Sequence, residues 1–190
     1  FGFNNITNSS ERIWASVFHS ISAYNNAGFG LWQGSMQAYR TNWVVNLVII
    51  MLIILGGLGW RVTSDLWANR KNLSMKRLSL HSRLVIRTSL LLILIGTFGL
   101  LITESIGQGT FFISIPWQER FMTAFFESVS ARTAGFTNMP ISIKTLSDSG
   151  LLLLMTLMFI GASPGGTGGG IKTTTLAALM AATRSTLRGQ

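Results

Sequence analysis

Long apolar stretches alternate with polar segments along the chain. An uncharged run from Trp43 to Trp60 carries a tryptophan at each end, as membrane-crossing helices do at the two interfaces. A second run begins at Leu84 and has no charge from Thr88 to Thr103. Because a helix needs about 20 apolar residues to cross a bilayer, both runs predict transmembrane helices.

Two further segments have apolar residues at helical spacing but are too short to cross a membrane. The first, about residues 11–24, follows Ser9 and Ser10, either of which is a good N-cap. The second, residues 116–131, begins at Pro116, a residue that favours the first helical turn. Each ends in a sequence that breaks helices. We expect both helices to enter the membrane and to stop part of the way across.

These short helices belong to an internal repeat. Residues 18–23 (Phe-His-Ser-Ile-Ser-Ala) align with residues 126–131 (Phe-Glu-Ser-Val-Ser-Ala), and both copies continue to Ala-Gly-Phe, at Gly28 and Gly135. The first copy has one extra residue, and the two glycines lie 107 residues apart. An ordinary tight turn explains one Ala-Gly-Phe but not two in matching contexts. His19 and Glu127 occupy matching positions, where hydrogen bonding behind the turn is favoured over a proton relay.

A glycine-rich run interrupts the last apolar segment. The ten residues 151–160 before it are too few to span a bilayer in a helix. The run comprises Gly161, Ala162, Ser163, Pro164, Gly165, Gly166, Thr167, Gly168, Gly169 and Gly170, and Lys172 follows it. Backbone at membrane depth is tolerated where protein or a water-filled cavity satisfies its polar groups. The run therefore predicts a discontinuous membrane helix beside an opening through the membrane.

Two soluble interpretations of this run fit less well. A phosphate-binding loop requires G-x-x-x-x-G-K-[ST], and Ile171 separates Gly170 from Lys172, so the pattern misses by one residue. A flexible glycine-rich linker would have polar flanks, whereas apolar residues flank this run on both sides.

Composition supports a membrane protein. The 190 residues are 48% hydrophobic and 11% charged, against about 25% charged in soluble domains. Much of the net charge of +9 lies between the two apolar runs. The basic residues there are Arg61, Arg70, Lys71, Lys76, Arg77, Arg83 and Arg87. Such a cluster is typical of a cytoplasmic loop, and it lacks the interleaved aromatic residues that stack on nucleic-acid bases. We expect no nucleic-acid partner.

Three smaller features complete the pattern. Asp65 is expected to form a local ion pair with Arg61. The absence of cysteine excludes disulfides and thiolate metal sites. The chain begins at Phe1 without a signal-peptide pattern, and we interpret it as an interior piece of a longer protein.

The repeated helix-and-turn unit suits a cation path. The C-terminal end of a helix carries roughly half a negative charge, and the carbonyls of the following turn replace the hydration shell of an ion. Glycine belongs in such a turn because its backbone accepts positive φ. Several turns must converge on one axis, and the repeat supplies them.

Taken together, these motifs resemble the Trk/Ktr/HKT superfamily of potassium transporters, and within it the membrane subunit of bacterial Ktr systems. The resemblance covers the whole chain, as part of the second and the complete third pore-loop repeat. It implies an all-α membrane protein with helix–pore-loop–helix repeats around a pseudo-fourfold pore and with one broken helix. The units would be residues 1–68 (pore helix, filter turn and second helix), 69–83 (basic cytoplasmic loop) and 84–190 (a complete repeat).

The resemblance also implies site residues and partners. The filter residues would be Asn26, Ala27, Gly28 and Phe29 in one repeat and Thr133, Ala134, Gly135 and Phe136 in the next. The run 161–170 with Lys172 would form an intramembrane gating loop, in which the ammonium repels cations until it is paired. The transported ion would be K⁺, with Na⁺ as a possible coupling ion and no bound cofactor. A cytosolic nucleotide-binding ring would drive the gate, and the full chain would form a homodimer in the cell membrane, crossing it several times.

Other interpretations stay open. A sodium-translocating member of the same superfamily fits the same motifs, since two of the four filters are missing. A secondary transporter with a discontinuous helix at its substrate site explains the glycine run but not the repeated turns. A scaffold or insertion fragment without catalytic function is a third. The glycines of the loop could also serve close helix packing. No acid/base pair or nucleophile constellation indicates an enzyme.

Overall fold

The computed structural model describes residue 3 and residues 5–71, 76–107 and 110–188. Regular structure in these ranges is helical, which agrees with the all-α prediction, and a short parallel bridge joins Ile160 to Ile171. The helices are α1 (Ser9–Tyr24), α2 (Trp43–Leu58), α3 (Trp60–Ala68), α4 (Leu80–Ile106), α5 (Thr110–Ser114), α6 (Trp117–Ser130), α7 (Asp148–Phe159) and α8 (Thr173–Leu187), with a 3₁₀ turn at Gln37–Tyr39.

The start of α1 differs from the prediction. Asn8, not Ser9 or Ser10, is the N-cap, and its side-chain oxygen accepts hydrogen bonds from the amide of Ser10 (3.1 Å) and from the Ser10 hydroxyl (2.8 Å). Asn8 also donates to the Glu11 carboxylate at 3.1 Å. An amide side chain satisfies two groups of the first turn at once, and the helix therefore begins two residues earlier than the apolar spacing indicated.

The predicted Trp43–Trp60 span is not one straight helix. It ends at Leu58, and α3 leaves it at an angle of 99°. Gly59 turns the chain with φ of 86°, a value that glycine tolerates and other residues rarely adopt. The carbonyls of Gly56 and Gly57, which lose their partners where a helix ends, accept the amides of Thr167 and Ser163 instead. The chain thus contains a second helix break, besides the predicted one at 161–172.

Helix α4 is the long helix of the second repeat copy in this chain, and the other helices of that copy pack against it. Its 27 residues reach about 40 Å at 1.5 Å per residue, and it is the one described helix long and apolar enough to cross a membrane alone. It packs against α6, α7 and α8. Where it meets α6, Gly96 leaves room for the Ser128 side chain, whose hydroxyl donates to the Ile93 carbonyl at 2.8 Å. Close approach at a glycine is typical of helix pairs in membranes.

The basic segment after α3 lies partly within the described residues, since 72–75 fall outside them. The expected ion pair between Asp65 and Arg61 is wrong. Asp65 accepts from the Asn69 side chain (3.0 Å) and from the Ser79 amide (2.9 Å), while the Arg61 guanidinium lies over the Trp60 ring. The carboxylate thereby ties α3 to the start of α4. Among the described residues the ion pair that forms is Arg40 with Glu119, at 3.2 Å.

The core follows the repeats. One cluster of buried apolar residues lies between α1, α2 and α6, and a second lies between α4, α6 and α7. Helix α6 contributes to both, through Phe126 and Ala124. Helices α1 and α6 are therefore held by α2, α4 and α7, with the C-terminal ends of α1 and α6 brought to the same region.

Candidate ion path

The first Ala-Gly-Phe turn begins where α1 ends. The amide of Asn26 donates to the Ala23 carbonyl (3.1 Å) and that of Ala27 to the Ser22 carbonyl (2.9 Å), which closes the last helical turn. Asn26 and Gly28 have φ of 51° and 72°, while Ala27 between them stays outside the left-handed region. Asparagine and glycine are the residues that tolerate this conformation best.

The second turn repeats this geometry. Thr133 and Gly135 have φ of 70° and 81°, and the amide of Ala134 donates to the Ser130 carbonyl at 2.9 Å, as Ala27 does to Ser22. A positive φ is unfavourable for a β-branched residue such as Thr133 and costs about 1–3 kcal/mol. The second turn thus has the positive φ of the first, although a threonine stands where the first turn has an asparagine.

A serine hydroxyl fixes each turn from behind. The Ser22 hydroxyl donates to the Phe29 carbonyl at 2.8 Å, and the Ser130 hydroxyl donates to the Phe136 carbonyl. Both serines lie in the aligned segments 18–23 and 126–131, but sequence reasoning did not single them out. Their recurrence in the repeat was the signal that could have identified them.

His19 and Glu127 serve the predicted role behind the turns. His19 Nε2 accepts from the amide of Leu31 (3.3 Å), and its Nδ1 lies 2.7 Å from the Ala15 carbonyl. Glu127 accepts from the amide of Asn138 (2.9 Å) and from the Thr137 hydroxyl (2.7 Å). Leu31 and Asn138 each lie two residues after the phenylalanine, and so the imidazole and the carboxylate support equivalent positions.

The two turns meet directly. A Cβ added to Gly28 would lie 2.6 Å from the Ala134 carbonyl oxygen, and one added to Gly135 would lie 3.2 Å from the Cα of Gly28. Both turns also border one cavity of about 300 Å³, lined by Ala27 from the first turn and by residues 133–137 from the second. Glu127 and, from α7, Leu154 and Met158 are among the other residues that line it. Gly28 and Gly135, predicted from separate copies of the repeat, are brought together.

The glycine run forms a compact loop between α7 and α8. The amide of Gly161 donates to the Ile171 carbonyl, and that of Ala162 to the Gly169 carbonyl, both at 3.0 Å. Gly165 and Gly170 have φ of 78° and 71°. A side chain would have no room at Gly161, where a Cβ would meet the Gly169 carbonyl oxygen at 1.6 Å. The amides of Gly161, Ala162 and Gly166 are therefore satisfied within the break, and those of Ser163 and Thr167 are satisfied by carbonyls of α2.

Contacts outside the loop attach it to both turns and to α2. The Thr167 hydroxyl lies between Tyr24 and Asn26 of the first repeat, and Arg132 Nη2 donates to the Gly161 carbonyl at 3.2 Å. The ammonium of Lys172 donates to the Gly168 carbonyl at 2.9 Å. In this arrangement the lysine is paired within the loop. Arg132, missed as a site residue, stands beside the second turn in the sequence.

Two buried polar residues, Glu104 and Asn138, make long-range hydrogen bonds outside the glycine loop. Glu104, at the end of α4, accepts from the Ser147 hydroxyl (2.7 Å) and from the Ser147 amide, and Ser147 is the N-cap of α7. Asn138 donates to the Asn46 side chain at 2.9 Å, which joins the second turn to the start of α2. Neither pair has a local sequence signal, since the partners lie 43 and 92 residues apart.

Half-length helices that end at paired glycine turns, packed against a helix long enough to cross a membrane, define the class of helix–pore-loop–helix membrane proteins. Residues 3–190 match the family described as TrkH, cation transport protein. The chain belongs to this family, and the resemblance drawn from its motifs is confirmed.

Two curated relatives and one solved structure extend the comparison. The potassium/sodium uptake protein NtpJ of Enterococcus hirae is 39% identical over 95% of this chain and 38% of its own length. The Ktr system potassium uptake protein B of Bacillus subtilis is 35% identical over 95% of this chain and 39% of its own. The crystal structure of the potassium transporter TrkH from Vibrio parahaemolyticus has the same fold, with a TM-score of 0.72 at 24% identity over 92% of this chain and 36% of that one. The chain therefore spans about two fifths of the length of these curated relatives.

Proposed function

We propose that this chain forms part of the ion path of a potassium uptake transporter. The observation that carries the proposal is the meeting of two matched turns, Gly28 against Gly135, at the C-terminal ends of two half-length helices. The helix ends favour a cation, and the turn carbonyls are the groups that replace its hydration shell. The filter residues in this proposal are 26–29 and 133–136.

The relatives support K⁺ as the ion. Their names give potassium uptake in both cases, and potassium with sodium in the Enterococcus hirae protein. We propose K⁺ as the transported ion, with Na⁺ uptake or Na⁺ coupling as the second candidate. Uptake of K⁺ by the full-length protein, measured with and without external Na⁺ in cells lacking other potassium uptake, separates the two. Uptake of Na⁺ with no uptake of K⁺ would reject the proposal.

We further propose that residues 161–170 and Lys172 form the gate of this path. Hydrogen bonds attach the loop to both turns and to the bend of α2, and it lies where the apolar helix is divided. Six of the twelve residues 161–172 are glycine, so small energetic biases suffice to move the loop. Lys172 would face the path with its charge whenever its bond to the Gly168 carbonyl is broken.

Removing residues 165–168 from the full-length protein tests the gate. If the loop blocks the path, the deletion raises ion flux and weakens its dependence on the cytosolic regulatory subunit. If the glycines serve only close packing, flux falls together with the amount of folded protein.

A matched pair of single substitutions sharpens this test. An added Cβ at Gly166 would lie 2.5 Å from the Gly57 carbonyl oxygen, whereas one at Gly169 would meet nothing within 4 Å. Gly166→Ala should therefore displace the loop and raise flux, and Gly169→Ala should do so much less. Equal flux in the two variants would contradict a gate that is seated against α2.

The Bacillus subtilis relative is named as protein B of a Ktr system, and this name supports a regulatory partner. We propose a cytosolic nucleotide-binding ring as that partner, a homodimer of the full chain, and a multi-pass position in the cell membrane. The structural units in this proposal are residues 1–68, 69–83 and 84–190, as the resemblance implies. In this topology 61–87 and 172–190 are cytoplasmic, while 105–115 and 138–148 are external. Labelling of single cysteines at the exposed positions Ser64 and Lys144 from either side of the membrane tests it. Labelling of both from one side would reject the topology.

A further inference from the structure

One threonine of the glycine loop joins three parts of the molecule. The Thr167 hydroxyl donates to the Tyr24 carbonyl at 2.9 Å and accepts from the Asn26 side-chain amide at 2.6 Å. Its own amide donates to the Gly56 carbonyl at 3.1 Å. A Cβ on Gly56 would lie 1.8 Å from the Tyr24 carbonyl oxygen, so the three backbones are in close contact here.

These bonds act on the first turn at its origin. Tyr24 is the last residue of α1, where a helix leaves carbonyls without partners. Asn26 is the first residue of the turn with positive φ. The hydroxyl of Thr167 therefore bonds to both the end of the helix and the first residue of the turn with positive φ, two residues before Gly28.

The second turn rests on the same loop through different residues. Arg132 donates to the Gly161 carbonyl at 3.2 Å, and a Cβ on Gly168 would lie 2.6 Å from the Thr133 hydroxyl. Thr167 and Gly168 are consecutive, and they contact the first residue with positive φ of each turn. The loop cannot leave this position without breaking its contacts with both turns.

We infer that the glycine loop positions both filter turns as well as closing the path, and that Thr167 is the positioning residue for the first turn. This inference rests on the proposed filter and gate. Withdrawal of the loop then removes the support of Asn26 and weakens ion binding at Gly28 and Gly135. Gate opening and ion release are thereby coupled, which suits conduction because a bound ion must also be able to leave. The coupling is reciprocal, so an ion held in the turns favours the seated loop.

The test measures ion affinity and flux separately in the full-length protein reconstituted in lipid vesicles. Thr167→Val keeps the shape of the side chain and removes both hydrogen bonds. The concentration of K⁺ that gives half-maximal uptake should rise about tenfold, the equivalent of one to two ordinary hydrogen bonds, and discrimination against Na⁺ should fall. Thr167→Ser, which retains the hydroxyl, should restore both. Asn26→Gly removes the side-chain donor to Thr167, and glycine tolerates the positive φ at this position. It should lower K⁺ affinity as much as Thr167→Val does, and combining the two substitutions should lower the affinity no further.

Two other threonines serve as controls. Thr173 shares a buried hydrogen bond with Ser163 at 2.8 Å, away from the bonds that join the loop to the turns, so Thr173→Val should alter flux without altering K⁺ affinity. The Thr156 hydroxyl donates to the Leu152 carbonyl at an exposed position of α7, and Thr156→Val should change neither.

The outcomes separate the two proposals. If Thr167→Val and Asn26→Gly leave affinity and discrimination as they were, the positioning role is overturned, whatever the flux. If they change affinity while removal of residues 165–168 fails to raise flux, the positioning role is supported and the gate is rejected.

Discussion

The two turns share a backbone conformation but have different surroundings. Among the described residues the Phe29 side chain is 71% exposed and Phe136 is 2% exposed, and on the preceding helices Ile21 is 59% exposed against 3% for Val129. The second turn is enclosed by α4 and α7, whereas the first is open on that side. Yet the paired positive φ values agree to within 20°.

This difference shows what shapes the turns. Within the described residues the two turns are enclosed to different extents and yet have the same paired positive φ, so the shared conformation goes with what the two segments have in common. The features common to both copies are a glycine at the second positive φ, a serine hydroxyl that donates to the phenylalanine carbonyl, and a side chain of the preceding helix that accepts from the backbone amide two residues beyond the phenylalanine. The conformation of the turn is therefore specified by its own segment, and the elements packed around it, the glycine loop included, fix its position.

Adding a side chain to either glycine should give the largest effect. Positive φ and lack of space both oppose it, at about 1–3 kcal/mol for the backbone strain alone. Gly28→Ser should be worse than Gly135→Ser, because its Cβ meets a carbonyl oxygen at 2.6 Å while the other meets a Cα at 3.2 Å. Potassium affinity in uptake should fall far more than protein abundance in both. Unchanged affinity in the double variant would rule out these glycines as filter residues.

Removing the acceptor behind each turn should have an intermediate effect. Glu127→Leu leaves the buried amide of Asn138 without a partner, at a cost of about 1–3 kcal/mol, whereas Glu127→Gln retains an acceptor oxygen. His19→Leu should cost less, since its bond to the Leu31 amide is longer, at 3.3 Å against 2.9 Å. Thermal unfolding of the purified full-length variants, with K⁺ affinity as the second readout, gives the ranking. A loss in Glu127→Gln as large as in Glu127→Leu would point to the charge and away from the hydrogen bond.

The serine hydroxyls should give the smallest and most nearly equal effects. Ser22→Ala and Ser130→Ala each remove one hydrogen bond, worth about 1 kcal/mol, from the phenylalanine carbonyl. If each turn is specified by its own segment, the two substitutions lower K⁺ affinity to a similar extent. A loss confined to Ser130→Ala would mean that the enclosed turn alone carries the filter.

Much of this arrangement follows from short-range chemistry. Helical spacing and lack of charge predicted the α4 span, and the half-length segments predicted α1 and α6 to within about two residues. The two Ala-Gly-Phe sequences and the glycine run were identified because glycine marks positions where the backbone needs positive φ or close approach. His19 and Glu127 were matched by the repeat alone, and their hydrogen bonds lie within 12 residues of chain.

Contacts between distant residues account for the rest. Gly59 gave no sign that α2 would bend there, because the carbonyls freed at Gly56 and Gly57 find their partners in the glycine loop more than 100 residues away. Asp65 bonds to Asn69 and Ser79 and not to the nearby Arg61, and a contact between distant residues is again involved. Ser79 becomes a neighbour of Asp65 only when α3 packs against α4. Nothing in the sequence distinguishes Thr167 from the other threonines, because its hydroxyl reaches Tyr24 and Asn26 only in the folded chain. A hydrogen bond depends on where both partners lie, and the chain fixes that for distant residues only when its helices pack.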